Sequence, residues 1–458
     1  MSLWALAVAV ALFALLGLLG SRFAAVLAAP ADGPLYRGVV YTLAGAVALH
    51  LVLTLLDFAG LRWSLPVLGV AYLAIAALGL AVSGRGGSGR QGGGATRPGW
   101  GDALALFALA VFTAFALGGW ITMPDYIYHW GLKGHRFYLA QGVDYAFLSH
   151  GWNWAVHPDY PNLVPELFAV TARLARSFDM PAMMLGTSVL FALLVAACRE
   201  GLRQGGADRY TVQAGTALVA LSCAAFGIGY IMAGAADWNL ALALAAAVPP
   251  LLRPPDRAGD FQIAVLAAFA AASKIEGVPL GAFLVVVQIL RRIAAERALS
   301  LRAPLAAGLL PAAVVLPWLG RALHYHLFQS FNSGAFELKR AGEVFAGVGE
   351  ALHSPAWHGF LPVMFLPLIL LFPRRTRAFA AVASLELLFY FYVYFTSSVG
   401  NYRYFVLSNF ARLGFQLVPA CMVAALVAWG GAKSEALKRE RPAGTLCGRP
   451  PAAPKDLA

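Results

Sequence analysis

Apolar residues in this chain come in long unbroken runs separated by short polar breaks, the pattern of helices solvated by lipid. A bilayer core about 30 Å thick takes roughly 20 apolar residues per helix. Runs near that length lie at 3–20, 38–57, 63–82, 103–121, 182–198, 211–231, 237–252, 261–274, 277–290, 303–321, 358–373, 378–396 and 405–430, and predict about thirteen transmembrane helices. Runs 261–274 and 277–290 are short, so tilted, broken or partly re-entrant helices are expected there. Run 3–20 lacks a basic flank and a clear cleavage site, and reads as a mature helix rather than a signal peptide. The fold class expected is an all-α polytopic membrane protein.

Composition agrees. Of 458 residues, 60% are apolar and only 12% charged. Soluble domains carry about a quarter charged residues, so a soluble enzyme and a disordered chain are both excluded. There are 34 basic against 22 acidic residues, a net charge of +12. Most of the basic residues fall in alternate loops: Arg22 and Arg37; Arg85, Arg90 and Arg97; Arg199, Arg203 and Arg209; Arg253 and Arg257; Arg291, Arg292, Arg297 and Arg302; Arg374, Arg375 and Arg377; then the tail. That side is expected in the cytoplasm, with the N-terminus outside and the C-terminus inside. The excess charge therefore marks orientation, and no nucleic-acid partner is expected. Cys198, Cys223, Cys421 and Cys447 have no paired spacing, which indicates neither a disulfide framework nor a zinc site. Abundant Ala, Gly and Arg hint at a bacterial source, which makes the inner (plasma) membrane the expected location.

Four stretches follow. Residues 1–83 hold three transmembrane helices. Residues 84–101 form a Gly-rich cytoplasmic linker. Residues 102–431 are a transmembrane core with two long outer loops, 122–181 and 322–357, and residues 432–458 are a disordered cytoplasmic tail.

Ionisable groups near hydrocarbon are costly and commonly functional. The first outer loop carries the densest set, in MPDYIYHWGLKGHRFYLAQG and HPDYPNLVPE. Asp125 follows a span. Asp125, His129, Lys133 and Arg136 recur at helical spacing, with Trp130, Phe137 and Tyr138 as the apolar side, which predicts an amphipathic helix lying on the outer membrane surface. Asp125 either caps that helix and pairs with His129, or does chemistry. His157 and Asp159 of HPDYP either close a Pro-bracketed turn or line a site. Asp237 opens a span in GAADWNLALA, Lys274 and Glu276 stand at a helix junction in SKIEG, Arg403 lies in GNYRYF, and Arg412 lies about two turns into the last span. Glu386 is mid-span. Orientation came from basic loops alone, yet Asp125, His157, Asp159, Asp237, Lys274, Glu276, Arg403 and Arg412 all fall on the outer side. An outward-facing polar cavity roofed by the two outer loops is therefore expected.

This pattern resembles the polytopic GT-C glycosyltransferases, especially the bacterial protein O-mannosyltransferases and lipid A aminoarabinose transferases. The likeness covers roughly residues 103–430. It rests on Asp125 after a span, His129–Trp130–Lys133, His157–Pro158–Asp159–Tyr160–Pro161, Ala236–Asp237, Lys274–Glu276–Gly277, and Arg412, Leu413, Gln416 and Pro419. The familiar acidic pair is absent, since Tyr126 follows Asp125.

The resemblance implies an inverting transfer of a sugar from a polyprenyl-phosphate donor to a glycan, lipid or protein acceptor outside the cytoplasm. It implies Asp125 as base and Asp159 as second acid, with His129, Lys133, His157, Tyr160, Asp237, Lys274, Glu276, Arg403 and Arg412 binding substrate. Lys274, Arg403 and Arg412 are the phosphate candidates, and Trp130, Trp152 and Trp154 are candidates for stacking on a sugar. A divalent metal ion stays open as a cofactor. The competing expectation is a transporter or flippase of a lipid-linked or polar substrate, for which Glu386 is the pointer.

Overall fold

The computed structural model describes residues 2–83, 98–225, 232–296, 302–328, 335–353, 373–397 and 402–440. Among the described residues the chain is an all-α polytopic membrane protein. It has no strand, and nine helices are long and apolar enough to cross a bilayer. These are Leu3–Ser21, Pro34–Phe58, Leu65–Val82, Trp100–Thr122, Met180–Gln204, Gly277–Glu296, Ala307–His324, Thr376–Thr396 and Phe405–Gly430. The run at 358–373 lies almost wholly outside the described residues, as does most of the Gly-rich linker. The last helix continues to Glu440, past the point where a disordered tail was expected to begin.

Three expected spans are shorter than the rest. Arg209–Ala225 has 17 residues within the described part, Asp237–Leu252 has 16 and Arg257–Ser273 has 17. Asp237–Leu252 is buried from Asp237 through Leu251, and is apolar all round because protein surrounds it. Its alanines let Met180–Gln204, Arg257–Ser273 and the last helix pack closely around it.

The basic loops find acids at one end of the bundle. Arg253 pairs with Asp32 at 2.6 Å, Arg199 with Asp102 at 2.7 Å and Arg292 with Asp260 at 2.6 Å. Gln204 and Gln262 join the Asp32 group. Asp57 marks the opposite end of the Pro34–Phe58 helix. Its 20 residues of separation from Arg37 span about 30 Å at 1.5 Å per residue. Groups expected on one side of the membrane thus assemble together.

Candidate functional site

Asp237 is the centre of the site. It stands in the first turn of the Asp237–Leu252 helix, where the helix dipole favours an acid, and it is fully buried. The next residue, Trp238, is clasped by Phe112, Phe191 and Phe415 at ring distances of 5.1, 5.3 and 4.9 Å, which fixes where the helix begins. Lys274 donates to Asp237 Oδ1 at 3.1 Å and also meets Glu276 Oε1 at 3.1 Å. It does so because the Arg257–Ser273 helix stops at Ser273 and Lys274 takes an extended backbone. Arg412 approaches from the last helix. Its Nη2 lies 3.2 Å from Asp237 Oδ2 and its Nε 3.4 Å from Oδ1. Gln416, one turn on, donates to Oδ1 at 2.6 Å.

Arg412 Nη2 also makes an ion pair with Asp125 Oδ2. Asp125 sits at the entry to a π-helical turn, Tyr126–Trp130, which leads into the α-helix Gly131–Ala140. His129 Nε2 lies 3.8 Å from Asp125 Oδ1, so the expected pairing exists alongside the longer-range one. The i→i−5 bond of this turn runs from Gly131 N–H to the Tyr126 carbonyl. A Cβ on residue 131 would lie 2.6 Å from that carbonyl oxygen, which is why glycine stands there.

The Gly131–Ala140 helix buries part of its expected polar face in protein. It packs against Leu163–Ala175, with Gly134 facing Phe168 so closely that a Cβ would come within 2.8 Å of the Phe168 Cβ. The π turn inserts an extra residue and rotates the polar face. Arg136 turns away to Asp144 at 2.6 Å, whereas Lys133 turns inward and is wholly buried. Its ammonium lies 4.7 Å from the Trp130 ring and donates to the His157 carbonyl at 3.1 Å. Lys133 therefore supports the HPDYP turn from beneath rather than facing a substrate, and Trp130 is buried with it. Trp152 is 84% exposed.

The HPDYP turn packs beside this group. His157 takes a left-handed backbone at φ 50°, uncommon for a residue with a side chain. Its ring stacks on Tyr160 at 4.5 Å and lies 4.8 Å from the His129 ring, which links the turn to the Asp125 group. Burial raises the Asp159 carboxyl to about 6, against the pull of Lys133. Burial likewise pushes Lys133 down to about 7, and Asp159 opposes that shift. His157 falls to about 3, from burial and then from His129 and the nearby cations, so its ring is neutral. Burial also holds the Tyr160 hydroxyl well above its usual range. Among the described residues, Asp159 Oδ1 and Glu276 Oε2 are buried acceptors with no hydrogen-bond donor.

Asp125, His129, His157, Asp159, Tyr160, Asp237, Lys274, Glu276 and Arg412 thus converge. Arg403 does not. It pairs with Glu350 at 2.7 Å on an exposed surface. Nine residues of helix, about 13 Å, separate it from Arg412. Tyr390 was missed by the sequence reading. Its hydroxyl donates to Gln416 Oε1 at 2.7 Å and so orients the amide that holds Asp237. Gln416 was visible only as part of a motif, and the one signal for Tyr390 was its place one turn after Glu386. A divalent metal ion does not suit this donor set. Asp125 is engaged by a guanidinium, Asp237 by two cations, and among the described residues no three His, Cys, Asp or Glu side chains converge to hold a metal.

Comparison with protein-family models, with curated proteins and with solved structures returns no match.

Proposed function

We propose that this protein is an inverting glycosyltransferase of a bacterial inner membrane. It would take a sugar from a polyprenyl-phosphate donor and pass it to a hydroxyl acceptor on the extracytoplasmic side. The observation that carries the reading is the direct contact of Asp125 with Arg412, itself seated on the Asp237–Lys274 group. Glycosyl transfer needs a carboxylate to accept the acceptor's proton and fixed positive charge to receive a leaving phosphate, side by side. The unpaired acceptors Asp159 Oδ1 and Glu276 Oε2 suit the hydroxyls of a sugar, which are donors.

In this mechanism Asp125 takes the proton as the acceptor oxygen bonds to the anomeric carbon. The bond from that carbon to the phosphate oxygen breaks on the opposite face, and the electron pair leaves with polyprenyl phosphate. Arg412 and Lys274 stabilise the charge that develops there, Arg412 through a planar fork suited to phosphate. Asp237 is saturated with donors, so its work is to hold both cations in place.

The test uses membranes bearing the protein, with radiolabelled polyprenyl-phosphate mannose, glucose and arabinose tried in turn. Transfer is expected with one of them, and Asp125→Asn is expected to lower it by about 10²–10⁴-fold at unchanged abundance. Asp125→Asn and Asp125→Ala both retaining near-wild-type transfer would remove the base. The buried mid-span Glu386 favours carriage of a lipid-linked substrate as the second reading. Movement of label across sealed vesicles without transfer selects it.

A further inference from the structure

The three N-terminal helices supply no partner to Asp125, Lys133 or Asp237 among the described residues. They and the connection at Trp63 between the second and third instead grip the first outer loop at four places. Trp63 packs edge-on against Phe137 at 6.2 Å, and its backbone N–H donates to the Gln141 carbonyl at 2.7 Å. Asp57 shares a cavity wall with Tyr145 and faces Arg321 at 3.6 Å. His50 Nδ1 meets Glu166 Oε2 at 2.7 Å across 116 positions of chain, with both residues buried.

We infer that the N-terminal helices are a clamp on this loop, and that His50 is a positioning residue which, through Glu166, holds the HPDYP turn in the site. Glu166 lies in the first turn of the Leu163–Ala175 helix, and its N–H donates to the Asn162 carbonyl at 2.9 Å. The turn ends one residue before Asn162, so tethering Glu166 to the Pro34–Phe58 helix fixes the turn's exit. Lys133 fixes its entry at the His157 carbonyl. The back of the turn, at Pro158 and Asn162, faces a cavity of about 20 Å³, room for about one water, lined also by His50, Asp57, Tyr145 and Arg321. The front bears Asp159. Charged groups around His50 are Glu166, Asp57 and Arg321; those felt by Asp159 are Lys133 and Glu276. Removing the imidazole leaves a buried carboxylate without its partner, which a helix end can relieve by moving.

The role assigned to the turn rests on the glycosyl-transfer reading, so the experiment has two arms. In the first, hydrogen exchange is followed on the full-length protein in detergent. His50→Leu is expected to speed exchange of residues 157–166 by about tenfold or more, with the Pro34–Phe58 helix unchanged. His50→Asn, whose Nδ2 takes the place of the ring Nδ1 and can still donate to Glu166, is expected to stay within about threefold of wild type. Should the leucine variant not assemble, His50→Phe, a ring without a donor, carries the same expectation. Unaltered exchange in the variant that assembles overturns the clamp.

In the second arm, the acid limb of the transfer-rate pH profile is expected to move down from about 6 toward about 4 in His50→Leu, as Asp159 becomes hydrated. A fixed limb with a lower rate overturns the positioning role. No transfer by the wild type overturns the glycosyl-transfer reading, and the exchange result still decides the clamp.

Discussion

Asp237 and Arg412, 175 positions apart in the chain, meet through both oxygens of the carboxylate and two nitrogens of the guanidinium. Lys274 and Gln416 fill what remains of the same carboxylate. An acid so occupied has little room to accept a substrate proton. It sets the direction of two cations that would otherwise repel each other.

Asp237→Asn is therefore expected to cost about 3 kcal/mol of stability in chaotrope unfolding, because one neutral amide cannot compensate two buried cations. Donor concentration dependence should weaken in parallel. A variant that unfolds like wild type and uses donor equally well would show that the cations are held by something else.

The Gly131–Ala140 helix reaches the site only because it approaches Leu163–Ala175 at Gly134. A valine there would place its Cβ 2.8 Å from the Phe168 Cβ and 3.3 Å from the Pro165 carbonyl oxygen. Gly134→Val should cost about 1–3 kcal/mol, as overpacked cores do. It should also impair transfer, since Asp125, His129 and Lys133 all hang on this segment. Unfolding midpoints together with initial rates check both effects. Normal values for both would mean that the two helices have slack between them.

The pH dependence has a definite sign. Asp159 titrates at about 6, raised by burial, so its favourable contribution to folding is complete below the unfolded value near 3.9 and is lost as pH rises through about 6. Lys133 titrates at about 7, lowered by burial, so its contribution is complete above about 10.4 and is lost as pH falls through about 7. Between about 6 and 7 the fold carries both charges at a cost. If transfer needs both, its rate rises through about pH 6 and falls through about 7. Initial rates at saturating donor test this, and a profile flat from about pH 5 to 9 counts against the roles of both groups.

Much of the bundle was legible because lipid imposes it: a helix such as Pro34–Phe58 must be apolar over its length. The same rule does not set Asp237–Leu252 apart, since an interior of protein selects the same residues as lipid does. Charged members of the site stood out because charge is rare in this chain. Lys133 was assigned to a surface face because a 3.6-residue period was assumed, and a π turn has no signature in that period. Tyr390 was hidden among Phe389, Phe391 and Tyr392, where one more aromatic residue reads as apolar. Arg403 was grouped with Arg412 because both fall on the outer side, although the helix carries them apart.

The buried Lys133 and Asp159, each within the field of the other, separate stability from activity. Opposite charges buried in this way gain little over neutral residues of similar shape, because dehydrating two charges offsets their attraction. The double variant Lys133→Met with Asp159→Asn keeps the volumes and removes both charges. It loses the donor to the His157 carbonyl, worth about 1 kcal/mol. Even so, the double variant should equal or exceed wild type by up to about 3 kcal/mol in chaotrope unfolding near pH 6.5, while transfer falls at least about tenfold. Each single variant leaves one charge without its partner and should be less stable than the double, with a coupling of about 0.5–3 kcal/mol. A double variant that unfolds more readily than either single would make the pair a strut of the fold, and would take Asp159 out of the chemistry.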